Sequence, residues 1–223
     1  MESAAHVRVI EWINRGCNLY SRNFVLILVG VICAMTASII TAGALLGPML
    51  GGIFLVLLKI IRRNEQNIKN LLATQSEMPI PADVFQGLEY FKPTMFVYVP
   101  LWLLCISLKF FLSQIPWVGW IISNVIIIIL GTFTMFVIPF IVDQGLPPLR
   151  AIARNIRAVR TAGIEFVVFF FVVSMISSMT LILLWVGIIF GSVIFMIFSP
   201  VFLVSVPIYF CSVAVAYEDL FFE

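Results

Sequence analysis

The chain has 223 residues, of which 62% are hydrophobic and only 11% charged, with a net charge of +2 and a mean hydropathy of +1.15. Soluble domains are about 45–50% apolar and about 25% charged, and a chain this short cannot hide the difference in one core. Soluble enzymes, nucleic-acid binders and disordered tails are excluded, and an integral membrane protein is expected.

Residues 7–22 form an amphipathic helix in the sequence pattern. Arg8, Glu11, Arg15, Asn18 and Arg22 recur at helical spacing on one face, with Val9, Ile10, Ile13, Cys17 and Tyr20 on the other. Glu11 and Arg15 make an i,i+4 pair worth ~0.3 kcal/mol. Charges at Glu2, Arg8, Glu11 and Arg15 leave no room for a secretory h-region, so the first span is expected to act as an uncleaved signal-anchor.

No charge occurs between Arg22 and Lys59. One span takes about 20 residues, so this stretch holds two, 24–43 and 45–61, with Gly43, Gly47 and Pro48 marking the turn. Residues 83–92 are a second amphipathic segment, with Val84, Phe85, Leu88 and Phe91 against Asp83, Gln86 and Glu89. From Pro93 to Val142 only Lys109 is charged, giving spans 94–113 and 118–141 around Pro116 and Gly119. Pro147 and Pro148 suit a helix start. They open a basic helix, 147–160, with Arg150, Arg154, Arg157 and Arg160 opposite Leu149, Ile152, Ile156 and Val159. The charge-free run from Phe166 to Tyr217 supplies spans 164–185 and 190–215.

The expected architecture is an all-α polytopic bundle, a single membrane domain over 1–223. It has six transmembrane helices in three hairpins (24–61, 94–141 and 164–215), each preceded by a cytoplasmic amphipathic helix (1–22, 83–92 and 147–160). Twelve of the thirteen Lys and Arg residues fall on one side, which the positive-inside rule makes cytoplasmic, with both termini. The unit recurs at a period of about 70 residues, either as a parallel repeat or because any hairpin protein needs interfacial connectors.

Three segments carry a family resemblance. Asp83-Val84-Phe85-Gln86-Gly87 resembles the D-L-F-x-G-F signature of a group of small bacterial inner-membrane proteins of unknown function. Ile138-Pro139-Phe140-Ile141-Val142-Asp143, followed by Ala151-Ile152-Ala153-Arg154-Asn155, is similar to a second landmark of that group. Pro207 and Ala214-Val215-Ala216-Tyr217-Glu218-Asp219-Leu220-Phe221 are similar to its closing motif. The group also resembles the membrane part found beside some glycerophosphodiester phosphodiesterases, whose catalytic domain this chain lacks. The resemblance implies a six-span inner-membrane protein and no particular chemistry.

Candidate functional residues are few. Arg8, Arg15, Arg22, Lys59, Arg62, Arg63, Arg150, Arg154, Arg157 and Arg160 are expected to meet anionic headgroups or a protein partner, at about 1 kcal/mol per charge near the surface. Lys109 is either a lysine that snorkels to the interface or a buried functional charge. Asn124, Ser174, Ser177 and Ser178 either line a solute path or join helices, at ~0.6 kcal/mol per hydrogen bond. Gly43, Gly47 and Gly51 have the spacing of a close helix–helix contact, although Gly43 and Gly47 also border the first turn. Asp143, Glu165, Glu218 and Asp219 belong to the cytoplasmic boundary and show no paired acid–base spacing within a span. With His6 the sole histidine and Cys17, Cys33, Cys105 and Cys211 widely spaced, neither a metal site, a cofactor nor a structural disulfide is expected. The expected role is a non-enzymatic accessory, scaffold or assembly component contacting anionic lipid and a membrane-protein partner or a second copy. The alternative is a small transporter or channel for a lipid or small solute.

Overall fold

Helix α1 (Val9–Arg22) ends at Asn23, whose side-chain amide donates to the Leu19 carbonyl at 3.1 Å. The chain turns there by 95° into α2 (Phe24–Ile40). This is a computed structural model describing residues 8–41, 43–69, 79–112, 114–115, 118–175 and 192–222, with backbone alone for 65–69, 120–121 and 192–202. Gly43, at φ 86°, closes the turn into α3 (Leu46–Lys69). That conformation is open to glycine because it has no Cβ. Nothing lies within 4 Å of where a Gly43 Cβ would stand, so Gly43 belongs to the turn and not to the expected packing stripe. Gly47 and Gly51 do pack. A Cβ on Gly47 would stand 3.2 Å from Cβ of Tyr98, and one on Gly51 2.8 Å from Cγ1 of Val142.

The segment 83–92 corrects its sequence reading. Pro81–Tyr90 winds as a 3-10 helix and runs directly into α4 (Phe91–Leu112). Three residues per turn stack positions i, i+3 and i+6, so the segment has three faces instead of two. Val84 and Gly87 are buried on α3, Asp83 and Gln86 form the polar stripe, and Phe85, Leu88 and Phe91 stay exposed. Phe85, Leu88 and Phe91 therefore do not share the buried face with Val84. Backbone meets backbone at this crossing. A Cβ on Gly52 would overlap the Val84 carbonyl oxygen, and one on Gly87 would overlap the Pro48 carbonyl.

The fourth apolar stretch is two helices, α5 (Val118–Thr132) and α6 (Val137–Gln144). Pro139 accounts for the break, since it lacks an N–H and its ring crowds the carbonyl four residues earlier. Gly145, at φ 62°, ends α6, and Pro147 is extended before α7 (Pro148–Ala162). Gly163, at φ 66°, then turns the chain by 108° into α8 (Ile164–Met175). The last helix, α9, is Ser192–Phe222.

Among the described residues the chain is all helical, and three helices are long and apolar enough to cross a membrane: Pro81–Leu112, Ile122–Gln144 and Leu203–Phe222. The number rises to five if each bent pair, α1 with α2 and α7 with α8, is one span. Only 6% of the most apolar part of Pro81–Leu112 is buried, against 67% of that of Leu203–Phe222. Helix α9 is thus central and α4 peripheral, with Phe96, Trp102, Leu103, Ile106 and Phe110 turned outward. Contiguous exposed apolar surface of that extent is what an apolar solvent allows.

Helix α1 keeps its two faces, with Val9, Ile13 and Tyr20 packed on the core, but the centre of the buried face is shifted. Its buried residues are Trp12, Gly16, Leu19 and Tyr20, while Ile10 is 83% exposed. The reason is α9, which α1 crosses at Gly16. A Cβ there would stand 2.8 Å from the backbone nitrogen of Ser212.

Candidate functional site

Acidic and basic groups from distant parts of the chain meet where α3, α6 and α9 end. Arg62 on α3 is the centre. Its Nη1 and Nη2 donate to the two Asp143 oxygens at 2.7 and 3.0 Å, and its Nε and Nη2 donate to the two Glu218 oxygens at 2.8 and 3.1 Å. The planar fork of arginine matches two carboxylates in this way, which a lysine cannot do. The Asp143 and Glu218 side chains are 9% and 6% exposed. Hydrogen bonds to Asp143 and then to Glu218 hold the Arg62 guanidinium above its ordinary pKa, so it stays charged.

Further groups close the cluster. The Tyr217 hydroxyl donates to Asp143 Oδ2 at 3.1 Å and accepts from Gln144 Nε2 at 3.0 Å. Gln144 in turn accepts from Arg154 of α7. The Arg154 guanidinium lies over the Phe140 and Phe221 rings, and that of Arg62 over Phe222. Beside it, Asp219 accepts from the Trp12 indole at 2.6 Å and from Arg15 at 2.9 Å, tying α1 to the end of α9.

Asn155 repairs the break between α5 and α6. Its Oδ1 accepts from the Phe136 N–H at 3.2 Å and its Nδ2 donates to the Thr132 carbonyl at 3.3 Å. Broken membrane helices persist where neighbours satisfy the freed backbone groups in this manner. Among the described residues, no buried side-chain nitrogen or oxygen lacks a hydrogen-bond partner.

These contacts redistribute the ten basic residues expected to meet headgroups. Arg62 is removed from that set, because internal carboxylates occupy its fork. Arg15 is held by Asp219, and Arg8 pairs with Glu11 at 3.2 Å, replacing the expected Glu11–Arg15 pair. Lys59 reaches Gln86 at 2.8 Å and Asp83 at 3.8 Å. Arg154 is exposed yet stacked on aromatic rings. Arg22, Arg150, Arg157 and Arg160 are exposed and Arg63 half-buried.

The intramembrane candidates are also brought together. Lys109, Asn124 and Ser174 line one cavity of about 460 Å³ between α4, α5, α8 and α9. Ser177 and Ser178 lie outside the described residues. In the sequence Asp143, Glu218 and Asp219 are boundary acids without paired spacing, and Asn155 and Tyr217 carry no site signal of their own. The signal for Asp143, Glu218 and Asp219 was a polar side chain closing an otherwise apolar run, in two of the three segments that carry the resemblance. No protein-family model, curated protein or solved structure matches the chain.

Proposed function

We propose that this chain is a six-span inner-membrane protein of the bacterial group it resembles, with three hairpins and both termini cytoplasmic. It acts without enzyme chemistry, as an accessory, scaffold or assembly component contacting anionic lipid and a membrane-protein partner. The carrying observation is the division of charge at one end of the bundle. Asp143, Glu218 and Asp219 are consumed internally by Arg62, Trp12 and Arg15, whereas Arg150, Arg157 and Arg160 remain exposed along α7. That leaves a face of net positive charge beside the apolar surface, suited to anionic headgroups. The right-angle turns from α1 into α2 and from α7 into α8 support interfacial placement of the two basic helices. The satisfied hydrogen-bonding of the acidic cluster supports a structural role for it over a reactive one.

The test combines Arg150→Ala, Arg157→Ala and Arg160→Ala in the full chain, extracted from native membranes. Retained anionic lipid is expected to fall about fivefold per arginine removed, and the co-purifying protein to be lost with it. Unchanged lipid retention, or recovery of the wild type as a lone monomer in a nanodisc pull-down, overturns the reading. The alternative of a small transporter or channel is favoured by one observation, the cavity that joins Lys109, Asn124 and Ser174.

A further inference from the structure

The cavity between α4, α5, α8 and α9 has a polar end and an apolar end. Its α4 wall is one helical stripe of Leu101, Cys105 and Lys109, spaced i, i+4 and i+8. At 1.5 Å per residue the stripe spans about 12 Å from Leu101 to Lys109. Helix α5 runs the other way, with Asn124 toward the Lys109 end and Gly131 toward the Leu101 end. There the Phe170 ring occupies the place of a Gly131 Cβ. Lys109 and Asn124 thus lie toward the turn between α4 and α5, and Ser174 of α8 and Tyr209 of α9 add further polar groups to the lining. No carboxylate is among the described lining residues, so the Lys109 ammonium gives the cavity a positive end.

We infer that this cavity binds an anionic phospholipid of the surrounding bilayer, with its phosphate at Lys109 and one acyl chain against Leu101, Ile127 and Phe171. About 460 Å³ lies within the ~300–1,000 Å³ of small-molecule sites, and is of the order of one acyl chain. A free phosphate would leave its hydration shell for an apolar wall, whereas a lipid phosphate brings an acyl chain that the apolar wall can hold. An acyl chain moving from the bilayer into an apolar cavity gains nothing from the hydrophobic effect. Selection therefore rests on the headgroup charge, and Lys109 is the residue that sets it. Asn155 of α7 reaches Thr132 beside the Gly131 end of the cavity, so Lys109 is at the end away from α7, and the inference does not depend on the scaffold role.

Native mass spectrometry of the full chain, titrated with phosphatidylglycerol or phosphatidylcholine, tests the inference. The wild type is expected to hold one phosphatidylglycerol in this cavity in preference to phosphatidylcholine, besides the lipid held at the α7 arginines. Lys109→Met should reduce that preference about fivefold, the share of one cation near a headgroup. Cys105→Trp fills the cavity while keeping Lys109 and should displace the lipid of either kind. Arg150→Ala with Arg157→Ala should strip the lipid held at α7 and leave one phosphatidylglycerol bound, which Lys109→Met then releases. The inference is overturned if Lys109→Met retains the preference, if Cys105→Trp retains the cavity lipid, or if the arginine pair alone removes it. Displacement by inorganic phosphate would make the occupant a soluble anion and overturn the lipid assignment. Should Cys105→Trp not give a monodisperse protein, the Lys109→Met titration decides.

Discussion

The Arg62 guanidinium grips both oxygens of the Asp143 carboxylate, Nη1 to Oδ1 at 2.7 Å and Nη2 to Oδ2 at 3.0 Å. It takes Glu218 with its remaining face, so one side chain joins α3, α6 and α9. Removing one partner of a buried ionic cluster leaves uncompensated charge, at a cost of about 3–5 kcal/mol.

Arg62→Met is therefore expected to destabilise the protein by about 2–4 kcal/mol, below the top of that range because Arg62 is itself 37% exposed. Arg62→Lys should recover little, since an ammonium cannot serve two carboxylates bidentately. Adding Asp143→Asn and Glu218→Gln to Arg62→Met should restore most of the loss. Unfolding in detergent, followed by circular dichroism, measures all of these, and a stable Arg62→Met protein would contradict the clamp.

Gly52→Ala and Gly87→Ala each place a methyl group into backbone at the crossing of α3 and the 3-10 helix. Overpacking costs about 1–3 kcal/mol and more where backbone must move, so both variants should lie at or above that range. Gly51→Ala should cost less, because it meets the Val142 side chain, which can shift. Comparative melting temperatures in one detergent give the ranking.

Asn155→Leu strips the Phe136 N–H and the Thr132 carbonyl of their partner. Each unsatisfied buried group costs about 1–3 kcal/mol. Hydrogen–deuterium exchange should show the Phe136 amide losing protection ahead of its neighbours in α6. Equal protection in wild type and variant would show that Asn155 does not hold the break.

Trp12→Phe keeps the ring packed beside Phe169, which it meets edge-on at 5.0 Å, and removes the bond to Asp219. A hydrogen bond to a charged group is worth about 1.5–3 kcal/mol. Faster protease cleavage within α1, with the rest of the bundle intact, is the expected outcome.

Much of this architecture was legible in short windows. The charge-free runs and the Pro147–Pro148 helix start are read over contiguous residues, and need no knowledge of what they touch. The turn at Gly43 was legible for the same reason. The faces of 83–92 were not, nor were Trp12 and Gly16 as the centre of the buried face of α1. A hydrophobic stripe tells which side of a helix can be buried, but Trp12 and Gly16 were chosen by the surface of α9, and Val84 by the winding of a 3-10 helix.

The polar site shows the limit most sharply. Asp143 and Glu218 were visible as carboxylates closing apolar runs, and Arg62 as one of many basic residues at a boundary. Nothing in their neighbourhoods marks them as a set, because 81 and 156 residues separate Arg62 from its two partners. Solvent preference is an additive property of local composition, so the amino-acid order alone points to several helices apolar enough for a membrane, with the charges gathered between the apolar runs. Pairing depends on which helix ends arrive at one point, and on how little water is left there. Packing therefore decided that Arg62 faces inward, and that Lys109, Asn124 and Ser174 share one cavity.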